Sequence, residues 1–412
     1  MKDLRPAYFL LLFIIQAPIF GQDSTETSSF KWKTVGFVKS DYWYDTRATV
    51  NAREGLFSLY PVAPEKDPNG IDPHASDRFN FSVITTRLNL TLSSSDIMKA
   101  KTTAFIEADF SGISNVDING FRLRHAYIYL DWKRVSVLMG QYWHPLFTPC
   151  VVPTVISLNT GAPFQQFNRS PQLRIDYRID DTYTIVFAAI SQRDYVNDGP
   201  AGQSPAYLHQ SSIPNIHLQW QYRKKNITLG IAGDYKNIRP EITTAQGFTN
   251  LNTLNSFAGS IFFKQTYNKW QFKTKATIGQ NMTEQLMMGG YAVSSLDSVT
   301  GIAAYTPTNN FAGWINLTYC NRVCYGLFGG YIKNLGTSQS NTGIYYGRGS
   351  DVDVVYRISP HISVITGNIR FSFELEYTNA LFGTPDSEGI IINPTGVANL
   401  RGLFTAIYFF NI

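Results

Sequence analysis

Alternation of charged and apolar residues in the stretch LRIDYRID, residues 173–180, constrains the fold most. The charged residues are Arg174, Asp176, Arg178 and Asp180, and the apolar ones are Leu173, Ile175, Tyr177 and Ile179. Side chains of a β-strand point alternately to two sides, whereas a helix would scatter them around its circumference. The stretch is therefore predicted to be a strand with one ionic and one apolar face. The apolar face could meet the core of a soluble sandwich or the lipid around a transmembrane barrel.

The same two-residue period recurs along most of the chain. It is clear in NIHLQWQYR (215–223), WQFKTKATIG (270–279) and IRFSFELEY (369–377). In RFNFSVITTRLNLTL the apolar frame shifts between Val83 and Leu88, which predicts a β-bulge.

The connections between strands decide between a sandwich and a barrel. The predicted strands lie near 30–45, 77–92, 100–111, 120–132, 135–143, 170–179, 183–194, 214–223, 227–237, 256–267, 270–281, 310–320, 323–334, 351–366, 369–379 and 399–412. Every second connection is very short (133–134, 180–182, 224–226, 268–269, 367–368), and the intervening ones are long (46–76, 144–169, 238–255, 282–309, 380–398). This alternation is typical of transmembrane barrels, whose periplasmic turns are tight and whose external loops are long.

The first 21 residues have the features of a secretory signal peptide. Two basic residues precede an interrupted apolar stretch, 7–20, which ends at the small residue Gly21 and is too short to span a bilayer comfortably. A buried N-terminal helix is the alternative, but a polar segment follows at once. We therefore expect a signal peptide at 1–21, a polar segment at 22–29 and one barrel domain at 30–412.

Composition and the C-terminus also favour a barrel. Aromatic residues make up 14% of the chain and charged residues 16%, and aromatic girdles at the two membrane interfaces require many such rings. After residue 21 no stretch approaches the ~20 consecutive apolar residues of a membrane helix. The final segment, LRGLFTAIYFFNI, is similar to the C-terminal sorting signal of bacterial outer-membrane proteins, although an ordinary buried strand is the alternative. The fold class is therefore predicted to be all-β, a transmembrane antiparallel barrel of about 16 strands. Outer-membrane lipid and the barrel-assembly machinery are its expected partners.

A barrel of this width leaves an aqueous channel, which predicts a diffusion porin for small hydrophilic solutes. The basic residues expected on its inner face are Lys39, Arg122, Arg124, Arg174, Arg178, Arg223, Lys273, Lys275, Arg357, Arg370 and Arg401. The acidic ones are Asp41, Glu107, Asp109, Asp176, Asp180, Asp234, Glu374 and Glu376. A small basic excess in a low-dielectric tube would favour anions, although pairing within a structural ladder could cancel the preference and leave neutral solutes equally accepted.

The connection 144–169 is unusually apolar for an external loop. We expect it to fold into the lumen and constrict it, with Arg169 and Arg174 near the narrow zone. The alternative is that it packs against a neighbouring subunit.

Three further residues carry local predictions. If Arg122 and Arg124 face inward, His125 faces outward with Leu123 and Tyr127, and a histidine is costly in lipid; this predicts a subunit contact at His125. Cys320 and Cys324 bracket the short turn CNRVC, where a disulfide and two free thiols are both open.

Several stretches are similar to the DcaP-like outer-membrane porins. They are GFVKSDYWYD (36–45), RLRHAYIYLDW (122–132), VLMGQYWHPLF (137–147), VYRISP (355–360) and NLRGLFTAIYFF (399–410). The resemblance implies a trimeric sixteen-strand barrel that takes up small, often anionic solutes. It also implies that Arg122, Arg124, Arg357 and Arg401 line the narrow zone. The apolar 144–169 connection and the CNRVC turn depart from the family's pattern.

Other functional classes find less support in the sequence. Six scattered histidines form no metal-ligand spacing and no G-x-S-x-G is present, so neither an enzyme nor a cofactor is expected. The net charge of +5 is spread without a basic cluster, which argues against a nucleic-acid partner. The eight residues of 22–29 leave no room for a receptor's plug domain. A non-conducting adhesin or structural barrel remains the alternative.

Overall fold

The computed structural model describes residues 31–94 and 96–411, and these form a closed antiparallel barrel of 16 strands. The predicted signal peptide, the polar segment at 22–29 and Ile412 lie outside the described residues. The first barrel strand pairs with the last, from Val35 opposite Asn411 to Asp45 opposite Arg401, and this pairing closes the ring.

The barrel strands follow one another around the ring in chain order. They are β1 (Lys31–Asp45), β2 (Arg78–Ser82 and Arg87–Ser93), β3 (Lys101–Asp109), β4 (Arg122–Asp131), β5 (Val135–Trp143), β6 (Arg169–Arg178), β7 (Tyr183–Ile190), β8 (Asn215–Lys224), β9 (Ile227–Ile238), β10 (Leu254–Tyr267), β11 (Trp270–Gln280), β12 (Ala303–Cys320), β13 (Val323–Thr337), β14 (Val352–Thr366), β15 (Ile369–Pro385) and β16 (Ile391–Asn411). The prediction of sixteen antiparallel strands is therefore confirmed.

Two predicted connections are wrong in extent. Most of 380–398 is strand, because β15 and β16 continue as a hairpin beyond the membrane-facing band. Similarly, β12 begins at Ala303, before the predicted start at 310. Residues 392–396 are exposed throughout, and a strand that meets water on both faces has no reason to alternate. At the frame shift in β2 the strand is interrupted at 83–86, where the Thr86 N–H donates to the Val83 carbonyl over 3.0 Å.

The outer face of the barrel is apolar and carries two belts of aromatic rings. The belt near the short turns contains Tyr183, Tyr222, Tyr267, Trp270, Tyr319, Tyr325 and Tyr408. The belt towards the long loops contains Tyr42, Phe81, Tyr235, Phe257, Phe311, Tyr331, Tyr356 and Tyr377. An apolar band between two aromatic girdles is the surface that a transmembrane barrel presents to lipid.

The long connections contain short elements of their own. These are a β-hairpin (Thr49–Ala52 and Phe57–Pro61), a strand pair (Gly289–Leu296 and Tyr345–Arg348), four 3₁₀ turns (Pro73–Ala75, Asn115–Asp117, Pro145–Phe147, Thr283–Gln285) and one helical turn (Ala206–His209). None of the helices in the described residues is long and apolar enough to cross a membrane.

Candidate functional site: the barrel lumen

The connection between β5 and β6 lies inside the barrel. Its backbone is bonded to inward side chains of distant strands: the Ile156 and Ser157 N–H groups donate to the Glu374 carboxylate over 2.7 and 3.2 Å. On the other side, Lys273 Nζ donates to the Val152 carbonyl over 2.9 Å. Residues 144–168 therefore cross the lumen between β11 and β15.

The hairpin 49–61, which follows β1, also folds inward. Arg357 donates to the carbonyls of Ser58 and Leu59 over 3.0 and 2.8 Å, and Arg401 donates to that of Gly55 over 2.7 Å. Phe57 packs edge-on against Phe167 at the exit of the 144–168 segment, with ring centroids 4.7 Å apart. The two inserted segments thus form one body within the barrel.

This inserted body packs against one side of the inner face, which we call the packed wall and which comprises the inward residues of β10–β15. The apolar residues joined there are Phe57, Leu59, Leu146, Phe147, Val151, Phe164 and Phe167 of the inserted segments and Phe262, Ala312, Trp314, Phe328, Ile332, Val355 and Ala380 of the wall. Burial of these apolar side chains away from water stabilises the two segments in their position inside the barrel.

Charged residues on the packed wall bind the inserted body. Arg357 is 1% exposed and is bonded to Glu376, Thr378 and three backbone carbonyls. Lys275 donates to the Leu146 carbonyl and to the Thr148 hydroxyl. An arginine side chain has only hydrogen-bond donors, and these five protein acceptors satisfy the donors of Arg357. Arg357 therefore needs no acceptor from a solute. These groups therefore act as structural anchors.

The opposite side, the open wall, comprises the inward residues of β3–β8 and carries a cluster of paired charges. Arg122 and Arg124 both donate to the Asp109 carboxylate, over 3.0 and 2.7 Å. Arg169 contacts Asp194 at 2.6 Å, and Asp194 also contacts Arg122 at 3.1 Å. Together with Arg87 and Glu107, four arginines share three carboxylates, which leaves a net positive charge.

Two cavities are lined by residues of the open wall, and the second includes Arg122 and Asp194 of this cluster. The turn-side cavity, of about 340 Å³, is lined by Tyr127, Tyr129, Cys150, Arg174, Asp176, Gln219, Gln221 and Arg223 among others. The loop-side cavity, of about 710 Å³, is lined by Arg53, Arg122, Arg193, Asp194, Tyr195 and Arg348 with apolar neighbours. Ionic groups thus face open space on this wall, whereas they face packed backbone on the other.

Comparison with known structures identifies the architecture. The DcaP channel of Acinetobacter baumannii matches with a TM-score of 0.69 at 15% identity, over 92% of this chain and 97% of that one. The anion-selective porin from Comamonas acidovorans matches at 0.55 and 9%, over 93% and 100% of the two chains. OmpT of Vibrio cholerae, an outer-membrane protein, matches at 0.54 and 8%, over 94% and 99%. The fold is that of an outer-membrane porin. No family model and no curated protein matches the chain.

The resemblance to DcaP-like porins inferred from the sequence is thus confirmed at the level of the fold. Of the family-matched arginines, Arg122 and Arg124 lie in the cluster on the open wall, whereas Arg357 and Arg401 anchor the inserted hairpin. Two of these four residues thus belong to the open wall, and the other two bind the inserted hairpin, Arg357 from the packed wall and Arg401 from β16.

The remaining sequence-predicted residues are distributed along the inner face of the barrel. Lys39 pairs with Asp41 at 3.1 Å, and Arg174 pairs with Asp176 at 2.7 Å. Arg178 pairs with Asp131 near the short turns. Arg370 lies under the ring of Phe409, 5.4 Å from its centroid. Asp234 contacts His217 at 3.1 Å. Asp180 was expected inside but lies in the turn after β6, where it caps the Thr182 N–H.

The outward orientation predicted for His125 is wrong. A register shift in the β3–β4 ladder sets His125 opposite Glu107 and Leu123 opposite Ala108, so that Arg124 and His125 both turn inward, at 3% and 4% exposure. Its ring centroid lies 5.3 Å from that of Trp143 inside the barrel. Tyr127, also expected outside, lines the turn-side cavity. The lipid-facing position that motivated a subunit contact at His125 does not exist.

At the short turn after β12, Cys320 and Cys324 are joined by a disulfide. Cys150, in the inserted 144–168 segment, is a free thiol. Among the described residues, no group of three or more histidine, cysteine, aspartate or glutamate side chains is placed to hold a metal ion.

Sequence reasoning missed the inserted hairpin and, with it, Arg53 and the apolar run LFSLYPV (56–62). That run was a usable signal, because such a stretch is poorly placed in an external loop exposed to water.

Proposed function

We propose that this chain is an outer-membrane diffusion porin that passes small hydrophilic, chiefly anionic, solutes along its open wall. The observation that carries the proposal is the pair of cavities lined by ionic side chains within a closed sixteen-strand barrel. A barrel of this strand number is too wide for its own side chains to fill, and here the two cavities remain beside the inserted segments.

The charges that face the cavities support a preference for anions. Arg223 makes no ion pair among the described residues and lines the turn-side cavity, where Arg174 is neutralised by Asp176. On the loop side, Arg53, Arg193 and Arg348 line the cavity with Asp194 as the one carboxylate of its lining. A positive potential in a low-dielectric tube raises the local concentration of anions. One of the similar structures is described as anion-selective.

The segment 144–169 is proposed to act as the constriction, with Arg169 at its exit held by Asp194. We further propose a homotrimer in the lipid of the bacterial outer membrane, reached through the predicted signal peptide at 1–21 and the barrel-assembly machinery. OmpT of Vibrio cholerae, which has a similar fold, is described in a trimer form. We propose no catalytic activity, since the similar solved structures are channels and outer-membrane proteins.

A non-conducting barrel with an adhesive or structural role is the second candidate. The observation that favours it is the packed wall, where the inserted segments fill the lumen with apolar side chains.

Conductance of the purified protein in a planar lipid bilayer distinguishes the two. The porin proposal predicts discrete conductance steps, in threes for a trimer, and a reversal potential in a KCl gradient that reports anion preference. The absence of any conductance would overturn the porin proposal and favour the closed barrel.

A further inference from the structure

Arg53 is a buried guanidinium that no ion pair satisfies among the residues that the structure describes. The residue is 3% exposed, and its Nε has no hydrogen-bond partner among those residues. The guanidinium carbon lies 5.8 Å from the centroid of the Tyr195 ring, and the charge interacts with that of Asp194 without forming an ion pair. Buried charges in proteins are normally paired, so an unpaired guanidinium that lines a cavity indicates a missing anionic partner.

The backbone that carries this guanidinium is held in one conformation. Arg53 and Glu54 both adopt the left-handed conformation, with φ of 55°, at the tip of the inserted hairpin. Non-glycine residues persist there only where the surroundings hold them. The Arg53 N–H donates to Asn115 Oδ1 over 2.8 Å, and Arg401 holds the Gly55 carbonyl over 2.7 Å. The hairpin tip is thus anchored from both sides, while the Nε of the side chain that it presents to the loop-side cavity has no acceptor in the described part of the chain.

Asp194, a carboxylate that lines the same cavity, forms its ion pairs with other arginines. Asp194 contacts Arg169 and Arg122 at 2.6 and 3.1 Å. Burial acts to raise the pKa of Asp194, but these two arginines hold that pKa below its usual value, so the carboxylate stays ionised and paired with them. Next to it, the buried hydroxyl of Tyr195 also lacks a hydrogen-bond partner. Two unused donors, one of them cationic, therefore line one cavity.

We propose that Arg53 and Tyr195 form a binding site for the carboxylate of an organic anion with a short apolar body. The proposal rests on the proposed function and adds a fixed subsite on the inserted hairpin, separate from the arginines of the strands. Guanidinium groups bind carboxylates through two parallel hydrogen bonds, and the phenol supplies a third donor.

The rest of the loop-side cavity fits the apolar part of such an anion. The cavity has a volume of about 710 Å³, and its lining also includes Val50, Leu59, Phe121 and Leu286. Small-molecule sites are typically apolar clefts with a few polar groups that fix orientation. A short aliphatic carboxylate has this chemistry, whereas an inorganic anion would use only the donors.

Calorimetric titration of the detergent-solubilised full-length barrel tests the site with sodium hexanoate as the probe. Hexanamide, which has the same shape without the charge, and acetate, which has the charge without the chain, are the comparison ligands. We expect hexanoate to bind at least about tenfold more tightly than either, since the site uses both the charge and the apolar lining.

The matched variants are Arg53→Gln, Tyr195→Phe and, as control, Lys225→Gln, because Lys225 is exposed in the turn between β8 and β9 and lines neither cavity. Arg53→Gln should weaken hexanoate binding about tenfold or more, Tyr195→Phe about threefold, and Lys225→Gln less than about twofold. Arg53→Lys keeps the charge without the two-pronged donor geometry and should lie between wild type and Arg53→Gln. Heat-modified mobility on a gel checks that each variant is a folded barrel.

Equal binding of hexanoate by wild type and folded Arg53→Gln, or no hexanoate binding by the wild type, would overturn this site. Titration does not require conduction. A barrel that conducts without binding hexanoate contradicts the site alone, and one that binds hexanoate without conducting contradicts the porin proposal alone.

Discussion

The two walls of the lumen carry similar charged residues but use them differently. On the packed wall, Arg357 and Lys275 are 1% and 2% exposed and are saturated by carbonyls of the inserted segments. On the open wall, Arg174 and Arg223 line a cavity. An arginine on an inner strand face is therefore not by itself a selectivity residue. What decides its role is whether protein backbone or water supplies its acceptors.

Of the changes proposed here to test this comparison, removal of the central part of the inserted 144–168 segment should have the largest effect, and the effect is on conductance. Replacing residues 149–163 with a short Gly/Ser linker takes away Val151, Ala162 and the rest of the part of the inserted body that crosses the lumen. Single-channel conductance is expected to rise at least about twofold, because a sixteen-strand barrel without a filling segment has a wide aqueous lumen. Shortening the external connection around Thr243–Thr249, which forms its own bridge, is the control and should leave the conductance unchanged. An unchanged conductance after removal of 149–163 would mean that the segment does not limit the pore.

Substitution of an anchor on the packed wall should cost stability rather than selectivity. Arg357→Ala removes the positive charge beside the buried Glu376 carboxylate and the donor to the carbonyls of Ala162 and Leu59. Breaking a buried ion pair in this way is expected to lower the free energy of unfolding by about 3–5 kcal/mol, measured by urea titration in detergent.

Arg178→Ala is the matched control for that experiment. Its ion pair with Asp131 is about one-third exposed, with side-chain exposures of 32% and 35%. The expected loss is about 1 kcal/mol or less, because exposed pairs are screened by water. Equal losses for Arg357→Ala and Arg178→Ala would remove the distinction between anchors and exposed pairs.

The fold could be predicted from the sequence because lipid and water impose opposite demands on the two faces of each strand. This demand places Lys273, Glu374 and Arg401 on the inner face from alternation alone. It fails where a strand leaves the membrane, as at 392–396, and where a bulge changes the frame, as at Arg124 and His125. At 392–396, Asn393, Pro394 and Gly396 indicate a loop rather than the observed strand, and no residue type marks the bulge at Arg124 and His125.

The partners of the inward side chains could not be predicted in the same way. Alternation gives the direction of Arg357 but not its acceptors in the hairpin at 58–59, which are about 300 residues away in sequence. Such contacts depend on how two inserted segments pack against each other, and no local pattern encodes that packing. The lack of an ion pair at Arg53 depends on the same insertion, so it could not be predicted from the sequence either.

The measurement that tests the central claim most directly is the reversal potential of a matched pair of variants in a KCl gradient. Arg223→Gln and Lys273→Gln each remove one positive charge, the first from the turn-side cavity and the second from the packed wall, where Lys273 holds the Val152 carbonyl and Thr154. Arg223→Gln is expected to shift the reversal potential away from anion preference, and Lys273→Gln is expected to leave it unchanged. Equal shifts, or a larger shift for Lys273→Gln, would contradict the assignment of permeation to the open wall.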